Sequence, residues 1–181
     1  MGNGQHFAAD ILFVIFHPFP KFFRVFALED FIRALVASEV PTVGICFGHQ
    51  IMAQAMGGKA AKYSGGWGIG RRAYVMTETG EDVHLLSFHQ DQVLEAPKGA
   101  DVFMSSDFCK IGGLKYSPTC YSLQPHPEHT VSFMADLIES RRGTVVPEDI
   151  ADKAMASLNQ PNDQARFGQM MVDVLDRDLR L

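Results

Sequence analysis

Basic residues, cysteines and long apolar runs are all scarce in this sequence. Its 181 residues carry 16 Lys and Arg against 21 Asp and Glu, a net charge of −5. That balance gives no electrostatic footprint for nucleic acid. The longest early apolar run, Ile11 to Phe16, has six residues, and a bilayer needs about 20. Met1 to Asp10 contain no Lys or Arg, so the basic start of a secretory signal is missing. Three cysteines, Cys46, Cys109 and Cys120, form no even disulfide framework and suit a reducing compartment. These absences predict a cytoplasmic protein. There is no internal repeat and no GxGxxG phosphate loop. The run Gly65–Gly70 is glycine-rich but follows no clear strand and opens no helix, so it reads as a loop.

What is present centres on Gly44-Ile45-Cys46-Phe47-Gly48-His49-Gln50. An apolar run from Val40 to Ile45 precedes it, and a helix-like stretch from Ile51 to Met56 follows, closed by Gly57-Gly58. Strand, sharp turn and helix in that order put a cysteine at the bend. Small residues on each side permit a tight backbone and lift the side chain into the open. The helix start then offers its positive dipole end and N–H groups to the sulfur, favouring thiolate and holding an oxyanion. The plainer reading of a single cysteine is a small core residue; the flanking glycines argue against it.

A second cluster, Gln124-Pro125-His126-Pro127-Glu128-His129, follows the strand-like run Thr119 to Leu123. A histidine at one strand end can reach a nucleophile on the next. Glu128, across a stiff proline, can accept from one ring nitrogen and leave the other facing sulfur. A surface turn with two solvated histidines is the alternative. Zinc on His126, Glu128, His129 and Cys46 is disfavoured, because the prolines block the helical ligand spacing of HExxH sites.

In this order the two segments resemble the class I glutamine amidotransferases. The stretch from about Leu28 to Arg141 looks most like free-standing proteins similar to the amidotransferase domain of GMP synthase. The resemblance implies Cys46 as nucleophile, His126 as base and Glu128 as orienting acid, with glutamine as substrate and no cofactor or metal. It implies contacts to the substrate from Gln50, from Phe47, whose amide is one oxyanion donor, and from Ser87, Phe88 and His89. Pro125 stands where many relatives carry an aromatic residue. A separate synthetase would be the partner that accepts ammonia. A γ-glutamyl hydrolase using the same triad, a catalytically impaired remnant serving as an interaction module, and a PfpI-type protease are the other readings. The last commonly has His directly after the nucleophile, where this chain has Phe47.

The resemblance also implies an earlier strand with a glycine-containing turn that supplies the second oxyanion donor. Residues 1–27 hold seven of the 14 Phe, and Gly2 and Gly4 precede the apolar run instead of following it. Only 45 residues precede Cys46, and a βαβ unit takes roughly 30 or more. The expectation is therefore an atypical segment, 1–27, and an amidotransferase-like domain, 28–181. The domain is a doubly wound, mostly parallel α/β sheet of flavodoxin-like type, N-terminally incomplete, with an antiparallel strand insertion. Helices are expected at Leu28–Ser38, His49–Met56, Val131–Arg141, Pro147–Leu158 and Asp163–Leu179. Leu28, Phe31, Ile32 and Leu35 form the apolar stripe of the first. Strands are expected at Pro41–Cys46, Ile69–Met76, Val83–Phe88, Val102–Ser105, Cys109–Leu114 and Thr119–Leu123.

Overall fold

A computed structural model describes residues 23–176. The apolar run Ile11–Phe16, and with it residues 1–22, lies outside the described residues. The chain runs α1 (Phe23–Ala37), β1 (Thr42–Ile45), α2 (Phe47–Ala55), β2 (Lys59–Lys62), β3 (Gly68–Met76), β4 (Asp82–His89) and β5 (Asp91–Glu95). It continues through β6 (Asp101–Ser105), β7 (Gly113–Ser117), β8 (Cys120–Leu123), α3 (Val131–Arg141), α4 (Glu148–Ser157) and α5 (Gln164–Leu175). Among the described residues, no helix is long and apolar enough to cross a membrane.

Six strands form one mixed sheet in the order β1-β8-β7-β6-β3-β4, and β2 pairs with β5 in a small second sheet. The parallel part, among the described residues, is the pair β1–β8; the other pairings of the main sheet are antiparallel. This is an α/β fold with the expected antiparallel insertion, and the insertion supplies most of the described sheet. The sheet curls. Leu86 of β4, at the far end of the strand order, accepts a 2.7 Å hydrogen bond from the N–H of His126, just beyond β8. Leu85 and Leu123 consequently share one core with Tyr74, Val83, Met104 and Phe167.

Several expectations shift. The first helix starts earlier, at Phe23. Its buried face is Ile32 and Val36, and Phe31 is 51% exposed, because α1 packs through one side onto Ile51, Met52 and Ala55 of α2. The expected strand Cys109–Leu114 sits further on, at Gly113–Ser117. Ser106 explains the displacement. Its hydroxyl accepts from the Cys109 N–H at 2.9 Å and its N–H donates to the Cys109 carbonyl at 2.8 Å, holding Cys109 in a turn. Gly65–Gly70 is a loop only in its first half. Gly68 and Gly70 belong to β3, where a Cβ on Gly68 would lie 2.7 Å from His89 Nε2 and one on Gly70 would lie 2.6 Å from Ser157 Oγ of α4.

His49 ties α2 to the sheet. It is fully buried, with Nε2 3.0 Å from the Ile111 carbonyl and Nδ1 2.7 Å from Ser122 Oγ. Since a carbonyl only accepts, Nε2 carries the proton and Nδ1 accepts from the serine hydroxyl. Burial pulls the His49 pKa down to about 4, with His89 adding to the fall against the Ile111 hydrogen bond. The unfolded chain therefore takes up this proton first as pH falls from about 6.5. The stability tied to neutral His49 is present above that pH and is lost as pH falls towards 4. Between pH 7 and pH 5 the loss from His49 should be about 2 kcal/mol. Buried His89, also lowered to about 4 by desolvation, acts in the same direction. Urea unfolding at the two pH values measures the slope, and it should flatten in His49→Asn.

Candidate active site

Cys46 occupies the single residue between β1 and α2. Its backbone has φ 50° and ψ −99°, a positive φ outside glycine, which is costly and persists only where the surroundings enforce it. They do so on both sides. The Cys46 N–H donates to the Leu123 carbonyl at 2.8 Å, and its carbonyl accepts from the Gln50 N–H at 3.0 Å, the first bond of α2. Gly44 permits the return of the helix over the strand. A Cβ there would lie 2.5 Å from Met52 Sδ and 2.8 Å from the Gly48 carbonyl carbon and oxygen. The second flanking glycine has no such packing reason: a Cβ on Gly48 would meet nothing within 4 Å.

The parallel register pairs Ile45 with Leu123. Cys46 and His126 therefore leave adjacent strand ends on the same side of the sheet. The Cys46 thiol and the Glu128 carboxylate both favour the protonated His126 ring, and His126 Nδ1 lies 2.7 Å from Glu128 Oε1. Burial lowers the affinity of the His126 ring for its proton, but the interactions with Cys46 and Glu128 outweigh it and raise the pKa to about 9. His129 stacks on His126, with ring centroids 4.1 Å apart and planes 6° from parallel. Burial, aided by the charge on His126, lowers His129 to about 4, so it is a neutral lid on a charged ring. His126, Glu128 and His129 present ligand atoms within 4.8 Å of one another. His126 Nδ1 and His129 Nε2 both face Glu128 Oε1, at 2.7 and 3.5 Å.

Two glutamines complete the surroundings, and neither stood out as a site residue in the sequence. Gln124 is fully buried, and its Nε2 lies 3.6 Å from Cys46 Sγ. Gln164, at the start of α5, donates to the backbone carbonyls of His126 (2.6 Å) and His129 (2.9 Å) and accepts from the Leu86 N–H (3.1 Å). One side chain thus fastens the histidine loop to β4. Gln124 was visible in the sequence as the first residue of the histidine cluster, without a role of its own, and nothing in the sequence flagged Gln164.

The remaining candidates fall around this centre. Phe47 opens α2. Gln50 turns its amide towards the protein, with Nε2 2.8 Å from the Asp91 carbonyl and 3.2 Å from Gln124 Oε1. His89 Nδ1 meets the same Asp91 carbonyl at 3.2 Å. The Ser87 hydroxyl lies 3.0 Å from Tyr74 Oη inside the core, and the Phe88 ring packs on Trp67 at 5.7 Å. An open groove of about 200 Å³ runs past Phe47, Gln50, Gln54, Ala61 and Asp91, beside the start of α2.

The family described as "Glutamine amidotransferase class-I" matches residues 8–140. This chain belongs to the class I glutamine amidotransferase family. Among relatives of the family, gamma-glutamyl peptidase 5 of Arabidopsis thaliana is 30% identical over 129 residues, covering 64% of this chain and 51% of the relative. A glutamine-hydrolyzing GMP synthase component of Methanopyrus kandleri is 32% identical over 106 residues, covering 51% of this chain and 54% of the relative. The chain spans about half the length of these curated relatives. A glutamine amidotransferase from Thermotoga maritima has the same fold, with a TM-score of 0.69 at 19% identity over 89% of this chain and 72% of that one. Amidotransferases and hydrolases are thus the enzyme classes this family member resembles.

Proposed function

We propose that the chain hydrolyses the side-chain amide of a γ-glutamyl substrate, glutamine being the simplest, through Cys46, His126 and Glu128. The observation that carries this reading is the convergence of a thiol at an enforced strand–helix bend with a histidine that is itself held by a carboxylate. Thiolate Cys46 attacks the amide carbon, and the carbonyl π electrons move to oxygen. The start of α2, beginning at Phe47, is turned towards that oxyanion. As the tetrahedral species collapses, the C–N bond breaks and His126 gives its proton to the departing amine, leaving a γ-glutamyl thioester. His126, now neutral, takes a proton from water. The new C–O bond forms, the C–S bond breaks, and glutamate leaves with the thiolate–imidazolium pair restored. Glu128 holds the Nδ1–H tautomer throughout and supports the imidazolium. Because His126 donates to the leaving group, activity should fall as pH rises through about 9, the value set by its two partners.

The same acyl enzyme forms whether the leaving group is ammonia or a larger amine. The groove beside Phe47 and Gln50 supports a substrate larger than the scissile amide. Similarity to a GMP synthase component supports a second arrangement, in which a synthetase takes the ammonia. The test is to offer L-glutamine and γ-glutamyl dipeptides, measure glutamate release, and quench in acid to look for a γ-glutamyl adduct on the Cys46 peptide. An adduct from either substrate fits the proposal. Glutamate release without one on that peptide would overturn it. Faster glutamine turnover on adding a synthetase, with dipeptides inert, would favour ammonia delivery.

A further inference from the structure

We infer that Gln124 is a further catalytic residue, whose side-chain amide donates to the Cys46 sulfur and holds the thiolate for attack and for departure. The inference rests on the reading of Cys46 as the nucleophile. Gln124 is fully buried, and its backbone N–H is fixed by the Gly112 carbonyl at 2.9 Å. Its Nε2 lies 3.6 Å from Sγ, and its Oε1 accepts from Gln50 Nε2 at 3.2 Å. The orientation of this relay is set from outside. The Asp91 backbone carbonyl can only accept, so Gln50 must present its NH₂ group there, at 2.8 Å. The second hydrogen of that NH₂ then points to Gln124, which must present oxygen in return. The Gln124 NH₂ is left facing the sulfur. Gln50 thus donates outward to the Asp91 carbonyl and inward to Gln124, which in turn donates to the Cys46 sulfur.

This contact differs in kind from that of His126. An amide N–H stabilises a thiolate without exchanging a proton with it, so it is present at every stage of the cycle. It weakens when sulfur becomes a neutral thioester and strengthens when hydrolysis expels the thiolate. Losing it should therefore slow deacylation, and with it kcat, more than substrate binding.

The test compares the parent with Gln124→Met, which keeps the volume and removes the N–H, and with Gln50→Ala, which cuts the relay one step away from sulfur. Three quantities are read: iodoacetamide alkylation of Cys46 against pH by peptide mapping, kcat and KM for a γ-glutamyl substrate, and thermal unfolding. In a folded Gln124→Met protein the alkylation inflection should move to higher pH. Its kcat should fall roughly 10- to 100-fold with KM little changed, the range for a hydrogen bond to a charged atom. Gln50→Ala should move the inflection the same way by less. A folded Gln124→Met protein with the parent profile and kcat overturns the inference. If that variant does not fold, Gln50→Ala decides, and an unchanged inflection overturns it. Cys46→Ala separates the two readings. Hydrolysis surviving in that variant removes the nucleophile itself, whereas its loss beside an unaffected Gln124→Met removes only the role of Gln124.

Discussion

Cys46→Ala should lower turnover of γ-glutamyl substrates by on the order of 10⁴-fold or more, since the acyl enzyme can no longer form. Thermal stability should stay close to that of the parent, because alanine inherits the same positive φ and only a half-buried sulfur is removed. Chemical reactivity gives a parallel readout. Cys109 and Cys120 are buried, at 1% and 0% exposure, and burial pushes the Cys109 thiol up to about 12. A glutamine-like electrophile should therefore modify Cys46 well before either of the others, and mapping of the labelled peptides checks the order. Modification of Cys109 or Cys120 first, or an active Cys46→Ala enzyme, would sink the nucleophile assignment.

His126→Ala should reduce kcat by at least roughly 10²-fold, the effect of losing the group that protonates the leaving amine and activates water. Glu128→Gln should cost less, because an amide still reaches the ring but no longer supports its charge. It should also bring the alkaline limb of kcat down from about 9, since Glu128 is one of the two partners that raise His126 against burial. For stability the sign is that of a raised histidine. His126 stabilises the fold fully below about pH 6.5, and this contribution is lost as pH rises through about 9. Unfolding midpoints at pH 7 and pH 10 should therefore converge in His126→Ala relative to the parent. Equal kcat in His126→Ala and the parent would end the triad reading.

The pair His126 and Glu128 was legible because one rigid proline separates them, so their contact is nearly a local property of the chain. The bend at Cys46 was legible for the same reason, as a glycine, an apolar strand and a helix start within a few positions. Gln124 and Gln164 were not. The contact of Gln124 with sulfur exists only because β1 and β8 pair in one register, and Gln164 reaches its carbonyls from a helix that begins 38 positions after His126. The small sheet was equally silent. Lys59-Ala60-Ala61-Lys62 carries no β-branched or aromatic side chain to announce a strand, and it becomes one through pairing with β5. Gly68 and Gly70 misled in the opposite direction. Their turn-like composition reflects close packing on His89 and α4 within a strand.

The parallel β1–β8 pair has a consequence for the life of the chain on the ribosome. His126 follows Cys46 by 80 positions. At synthesis rates of roughly 5–20 residues per second, the cysteine is made on the order of 4–16 s before its histidine. During that interval the thiol has neither its proton partner nor the strand whose Leu123 carbonyl holds the bend. On the proposed mechanism the emerging polypeptide has no activity towards amides until β8 docks, and amidase activity appearing on stalled nascent chains of graded length would time that docking.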